Sequence, residues 1–270
     1  MSEKILLVGC GKMGGALVEG WLEQQFEIDD IVVVDPDSKI TTSFTARGIK
    51  AVIDVDCLPE RFQPDVVVFA VKPQVMDQVV PPYKKLDTQS TIFISIAAGK
   101  TVAYFEKILG PSVAIVRAMP NTPAAIRRGI TVACGSRKTT KVQRNFCHRL
   151  LKAVGELEWV QDEGLIDAVT ALSGGGPAYV FFLAEVMAKA GMASGLPSGL
   201  SERLARLTVA GAGELLYRST EPASRLRENV TSPGGTTAEA LKVLMADDGW
   251  QPLMDLAIAE ATSRSKELEG

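Results

Sequence analysis

Ile5-Leu6-Leu7-Val8-Gly9-Cys10-Gly11-Lys12-Met13-Gly14 decides the fold. A short apolar, branched run reads as a buried strand, and the three spaced glycines carry it directly into an amphipathic stretch that reads as a helix. The Gly-x-Gly-x-x-Gly spacing is weak in isolation and gains meaning from this strand-to-helix setting. The first glycine, Gly9, permits a tight turn; the second, Gly11, lets backbone approach a pyrophosphate; the third, Gly14, lets the helix pack closely on the strand. Free N–H groups at the helix start then face the phosphates. A merely tight βα turn would explain the glycines alone, so a second signature is needed.

Asp35 supplies it. The acid closes the second apolar run, 21 residues beyond Gly14, the place from which a carboxylate hydrogen-bonds an adenosine ribose 2′-hydroxyl. A carboxylate there would repel a 2′-phosphate, so the expected cofactor is NADPH or NADH with a leaning toward NADH, which Ser38 and Lys39 lie close enough to blunt.

Outward from this unit, β-branched runs alternate with amphipathic ones. Expected strands are Lys4 to Gly9, Asp30 to Asp35, Asp65 to Val71, Thr91 to Ile96 and Val113 to Ala118, extended by Ile130 to Cys134 and Leu157 to Val160. Helices are expected over Gly14 to Gln25, Ser38 to Arg47, Gln74 to Lys85, Val102 to Leu109 and Thr139 to Val154. The fold class is α/β: an N-terminal Rossmann-type doubly wound sheet followed by an all-α C-terminal dimerisation domain. Strand carboxyl ends in such a sheet open onto the ligand crevice, which places Ala70, Val71, Lys72 and Pro73, then Ala97 and Ala98, then Asn121, beside the cofactor. Lys72 reads equally well as a solvated lysine.

After Asp162 the β-branched runs stop, and helices are expected over Leu165 to Leu172, Pro177 to Met192, Pro197 to Arg218, Glu221 to Asn229, Thr237 to Met245 and Pro252 to Leu268. Residues 1–163 are therefore expected to bind the dinucleotide, and 164–270 to form a helical dimerisation and substrate-binding domain. Ala178 to Ala184 is apolar around nearly the whole helix, more than a small helical half can bury alone, so an extensive subunit interface is expected.

Composition excludes other classes. At 270 residues the length suits roughly two domains of about 150. With 46% hydrophobic and 23% charged residues the chain can bury an ordinary core. Lys plus Arg against Asp plus Glu gives 29 − 32 = −3, no electrostatic case for a nucleic-acid or anionic-membrane partner. The four cysteines, Cys10, Cys57, Cys134 and Cys147, show no metal-like spacing, so no metal site is expected and the chain reads as reduced and intracellular. His148, the single histidine, sits among basic residues and reads as a bystander, which removes His-dependent triads. Glycines interrupt the first apolar run, and no long uncharged apolar window follows; a cytoplasmic chain without a membrane partner is expected.

Thr231-Ser232-Pro233-Gly234-Gly235-Thr236-Thr237-Ala238-Glu239 is the second informative stretch. Thr236 and Glu239 have capping-box spacing ahead of an apolar run, so a helix is expected to begin there with Thr237 at its first position. Capping alone does not need two glycines and further hydroxyls. They leave bare N–H groups at a positive helix end, a seat for a carboxylate. Ser173-Gly174-Gly175-Gly176-Pro177-Ala178-Tyr179 is another glycine-rich helix entry. Where Rossmann-type hydroxyacid dehydrogenases place a catalytic lysine after a similar run, this chain has Val180, which argues against alcohol oxidation.

Together with Ala70-Val71-Lys72-Pro73 and Arg117-Ala118-Met119-Pro120-Asn121-Thr122-Pro123, these blocks resemble the pyrroline-5-carboxylate reductases across essentially the whole chain. The resemblance implies reduction of 1-pyrroline-5-carboxylate to L-proline, the last step of proline biosynthesis. It also implies homodimers with interlocked helical domains, assembled further into decamers of five dimers, and active sites shared between subunits. Carried over by position, Ser232, Gly234, Gly235, Thr236 and Thr237 bind the substrate, Thr237 hydrogen-bonds its nitrogen as the catalytic residue, and Asn229 approaches the cofactor. Glu221 lies near another active-site acid of the family and receives no role. Two departures stand out: Gly175 replaces the usual serine, and Asp35 stands where many relatives carry neutral residues. A reductase of a related cyclic imine acid and a non-catalytic dinucleotide-binding regulator remain the alternatives.

Overall fold

Four-residue runs of Val, Ile, Leu and Phe form the central strands, because such side chains pack well on a pleated surface covered on both faces. The computed structural model describes residues 3–86 and 90–268. Among them one sheet holds β1 Ile5–Val8, β2 Ile31–Val34, β3 Lys50–Val52, β4 Val66–Phe69, β5 Ile92–Ser95, β6 Ala114–Met119, β7 Gly129–Gly135 and β8 Gly155–Val160. Their order is β3-β2-β1-β4-β5-β6-β7-β8. Strands β1 to β6 are parallel, β7 runs antiparallel to β6, and β8 is parallel to β7. Strand order reverses between β1 and β4, the switch point at which such sheets receive ligands.

Helices α1 Lys12–Glu23, α2 Ser38–Thr45, α3 Met76–Val79, α4 Val102–Leu109 and α5 Lys141–Lys152 cover the sheet. The two-residue period sends alternate side chains to opposite faces. Ile5, Leu7, Val33 and Val68 pack with Leu17 and Trp21 of α1 and Leu150 of α5, while Leu6, Val8, Val67 and Phe69 pack with Met76, Tyr83 and Phe105. The Trp21 indole donates to the Leu150 carbonyl at 2.9 Å, so α1 and α5 share a satisfied polar contact on one face.

Two elements differ from the sequence expectation. The helix expected from Gln74 to Lys85 is broken into 3-10 turns at Pro73–Val75 and Pro81–Leu86 around the short α3. Pro81 and Pro82 lack the N–H a continuous helix needs, and their rings clash with the preceding turn. Strand β3 was not anticipated, because Lys50-Ala51-Val52 is too short and too mixed to show a period; it pairs at the sheet edge with β2.

The chain divides into two compact units, residues through Gly174 together with the segment from Ala261, and Gly175–Glu260. The expected division near residue 163 marks where strands end; the compact boundary falls later. Helix α6 Leu165–Val169 and the π turn Thr170–Gly174 stay with the sheet, because Ile166 and Ala171 are buried there and Gly174 lies against Met119.

In the second unit lie α7 Gly176–Ala193, α8 Ser198–Arg218, α9 Ala223–Asn229, α10 Thr236–Leu244 and most of α11 Trp250–Glu267. A short link joins α7 to α8, which pack together. Gly191 permits this approach, since a Cβ there would lie 2.2 Å from Ser201 Oγ, and Ser201 donates to the Ala188 carbonyl at 2.7 Å. Ala188 and Ala205 are buried, whereas Val180, Phe181, Phe182, Leu200, Leu204, Leu207, Leu215 and Leu216 are exposed. By length and composition the helical stretch Leu165–Ala193 could also cross a membrane.

Candidate active site

At the switch point Gly9 adopts φ +85°, a left-handed conformation open to glycine without steric cost. A Cβ on Gly14 would fall 2.4 Å from the Gly9 carbonyl oxygen, so the third glycine brings α1 onto the strand end; Gly11 has open space where its Cβ would be. Helix α1 begins at Lys12, two residues earlier than expected, with Gly11 as N-cap and no side-chain cap. Its first amides therefore remain available to an anion. A loop with one open glycine, one close-packed glycine and an uncapped helix start fits a pyrophosphate. Lys12 is exposed and Met13 half-buried.

Asp35 is 7% exposed. Its Oδ2 accepts the Cys10 N–H at 2.7 Å and its Oδ1 accepts the Asp37 N–H at 2.9 Å. The carboxylate thus ties the glycine loop to the turn after β2, a structural duty the motif spacing did not reveal. Asp37 in turn caps α2 by accepting the Lys39 N–H. Burial, with the Asp35 charge adding to it, pushes the Cys10 thiol up to about 12. Cys10 therefore stays a neutral thiol in the loop.

Ala70 donates its N–H to the Val8 carbonyl at 2.8 Å, and the Val71 side chain sits where a Gly9 Cβ would go. A cavity of about 200 Å³ opens beside them, lined by Gly9, Val34, Pro36, Ile53, Asp54, Val71 and Tyr83 among others. Pro73 and Lys72 follow, Lys72 exposed. Ala97 is buried, and Ala98 half-buried, at the end of β5. A larger recess of about 720 Å³, bounded by Val102, Cys134, Arg137 and Glu163, contains none of the expected site residues.

Asn121 has partners within the protein as well. It is buried; its Oδ1 accepts the Ile130 N–H at 2.9 Å and its Nδ2 donates to the Ser173 carbonyl at 3.1 Å. Both ends of the amide thus serve the protein, pinning the loop after β6 to β7 and to the π turn. A side-chain amide in a loop looks the same in sequence whether it faces ligand or backbone.

In the helical unit, α10 begins at Thr236 with Gly235 as N-cap, extended at φ −80° and ψ 170°, and without a side-chain cap. The expected capping box does not form, and Thr237 is the second helical residue, not the first. Glu239 instead pairs with Lys242 at 2.6 Å, as an exposed acid one helical turn from a lysine readily does. Gly234 at φ +69° makes the turn in which the Gly235 N–H reaches the Ser232 carbonyl at 3.0 Å. Ser232, Thr236 and Thr237 are exposed beside these first-turn amides. Asn229 Nδ2 donates to Glu221 Oε2 at 3.1 Å. Sequence reading left Glu221 without a role; its eight-residue separation from Asn229 gives no local signal of the contact.

His148 Nδ1 accepts the Trp159 indole N–H at 3.3 Å, consistent with a bystander. No group of acids, cysteines and histidine suited to a metal occurs among the described residues.

Fold and loops together define a two-part α/β oxidoreductase, with a Rossmann-type dinucleotide unit followed by helices that present an open helix start. Residues 163–268 match the family described as pyrroline-5-carboxylate reductase dimerisation, and residues 4–99 that described as NADP oxidoreductase coenzyme F420-dependent. With a pyrroline-5-carboxylate reductase of Haemophilus influenzae 35% identical over 98% of this chain and 97% of its own, the chain belongs to the pyrroline-5-carboxylate reductase family. The Pseudomonas aeruginosa relative is 36% identical over 98% of this chain and 96% of its own. A solved pyrroline-5-carboxylate reductase from Coxiella burnetii matches with a TM-score of 0.92 at 34% identity, covering 100% of both chains. Another, from Plasmodium falciparum with NADP bound, matches at 0.83 with 28% identity over 99% of this chain and 98% of its own.

Proposed function

We propose that this chain reduces 1-pyrroline-5-carboxylate to L-proline, the last step of proline biosynthesis, using NADPH or NADH. The observation that carries the reading is the uncapped start of α10 in the Ser232-to-Thr237 loop of a chain from this family. When bound, the reduced dinucleotide supplies the hydride. Gly9, Cys10, Gly11, Lys12, Met13 and Gly14 hold its pyrophosphate at the start of α1. Asp35 meets the ribose, Ala70 to Pro73 with Ala97 and Ala98 border the remainder, and Asn229 approaches it. Asn121, at the end of β6, also borders it while fixing the loop that follows the strand.

Ser232, Gly234, Gly235 and Thr236 seat the substrate carboxylate with backbone and hydroxyl donors, and Thr237 holds the ring nitrogen and its proton. A protonated imine is already electrophilic, so the chain's task is orientation more than acid catalysis. The exposed apolar side chains of α7 and α8 lie within the dimerisation match, which favours a subunit interface over a membrane contact; the proposed assembly is a homodimer, built further into a decamer. A reduced, cytoplasmic setting suits the free thiols.

Steady-state rates with five- and six-membered cyclic imine acids under each reduced cofactor test the reading. The five-membered imine is expected to turn over with both cofactors, with a higher kcat/KM for NADH because of Asp35. Thr237→Ala is expected to lower kcat/KM by roughly 10- to 1000-fold, the range for a positioned hydrogen bond to a reacting group. Dinucleotide binding without turnover would make the chain a regulator instead, and preference for the six-membered ring would make it a different imine reductase.

A further inference from the structure

The loop between β5 and α4 carries Ala97, Ala98 and Gly99, which have almost no side chain with which to anchor themselves. Gly99 adopts φ +69°. A Cβ there would fall 2.8 Å from Leu268 Cβ and 2.9 Å from the Leu268 carbonyl oxygen, so Leu268 lies directly against the loop. One helical turn earlier, Ser265 donates to Asp167 Oδ1 at 2.6 Å, with both residues 3% exposed. Asp167 Oδ1 lies 3.7 Å from Arg117 Nη2 in β6. The Arg117 Nη1 donates to Glu163 Oε1 at 3.1 Å, and the same oxygen accepts the Val102 N–H at 2.8 Å, at the start of α4.

These contacts form a circuit. From the last turn of α11 it passes through Asp167, a buried guanidinium and Glu163, then returns at the far end of the same loop. The loop is thereby held at Gly99, and the start of α4 just beyond it at Val102, by groups outside β5 and α4. Two carboxylates face one buried guanidinium, and the Ser265 hydroxyl supplies a donor to the more buried of them, Asp167.

We infer that the last turn of α11, through Ser265 and Leu268, positions the Ala97-Ala98-Gly99 loop and with it the bound cofactor. The inference rests on the reading that this loop borders the dinucleotide. Ser265 and Leu268 are positioning residues, acting through the loop and not on the reacting atoms.

The test compares the full-length protein with Ser265→Ala and with a chain ending at Arg264. Dissociation constants for NADH and NADPH come from fluorescence titration, alongside kcat and the KM of each substrate. The dissociation constant and KM for the dinucleotide are expected to rise about 3- to 10-fold, the effect of losing one buried hydrogen bond, with the imine KM within about twofold of wild type. Wild-type cofactor affinity in Ser265→Ala, or equal increases in both KM values, would overturn the inference. If the shortened chain does not fold, Ser265→Ala alone decides. A wild-type protein that binds neither dinucleotide would overturn the underlying functional reading too, a failure visible before either variant is compared.

Discussion

Asp35 has two duties that its sequence position does not separate. As an acid at the end of β2 it is placed to read a ribose, and as a buried acceptor it holds the Cys10 and Asp37 amides. Asp35→Ala leaves both amides without their acceptor, at about 1–3 kcal/mol for each buried donor that water does not reach. The expected outcome is a lower melting temperature together with a KM for both dinucleotides raised roughly 10-fold, since the pyrophosphate loop loses its tie. An unchanged melting temperature with a gain for NADPH alone would show that Asp35 acts only on the ligand. Asn121 makes the same point: at a strand end facing the crevice, its amide also bonds the Ile130 N–H and the Ser173 carbonyl.

Elements respond to glycine according to what lies over each Cα. Gly14→Ala would drive a methyl to 2.4 Å from the Gly9 carbonyl, whereas Gly11→Ala meets nothing within 4 Å. Gly14→Ala is therefore expected to destabilise the fold by about 1–3 kcal/mol, because overpacking must push α1 off β1. Gly11→Ala is expected to leave thermal unfolding unchanged and to weaken dinucleotide binding, its methyl occupying the approach to the phosphates. Calorimetry and cofactor titration on the two variants separate these outcomes; equal destabilisation by both would refute the assignment of the second glycine to the ligand. Most strands and helices were legible because their periods persist for a turn or more. The helix expected from Gln74 to Lys85 failed where Pro81 and Pro82 outweigh amphipathic spacing. The box of Thr236 and Glu239 failed because the helix starts one residue sooner, with Gly235 as N-cap, which leaves Glu239 to pair with the exposed Lys242.

At the scale of the whole molecule, the helical unit leaves Phe181, Phe182, Leu200, Leu204 and Leu207 in solvent. Burying each large apolar side chain yields about 1.5–3 kcal/mol, enough in aggregate to offset the ordering cost of association. Sedimentation is expected to show a dimer or a multiple of it at micromolar concentration, and a monomer there would reject the interface. The amino-acid sequence by itself determined the doubly wound class, the glycine loop, the acid after β2 and the helix entry near residue 235, because each depends on spacing within a few turns of chain. Only the tertiary structure decided the contacts that spacing does not encode: the Asp35 tie to Cys10, the Asn121 amide against Ile130 and Ser173, Glu221 against Asn229, and Leu268 against Gly99. The reason is physical: a hydrogen-bond donor or acceptor has the same local signature whatever satisfies it, and its partner is chosen only when packing brings remote chain together.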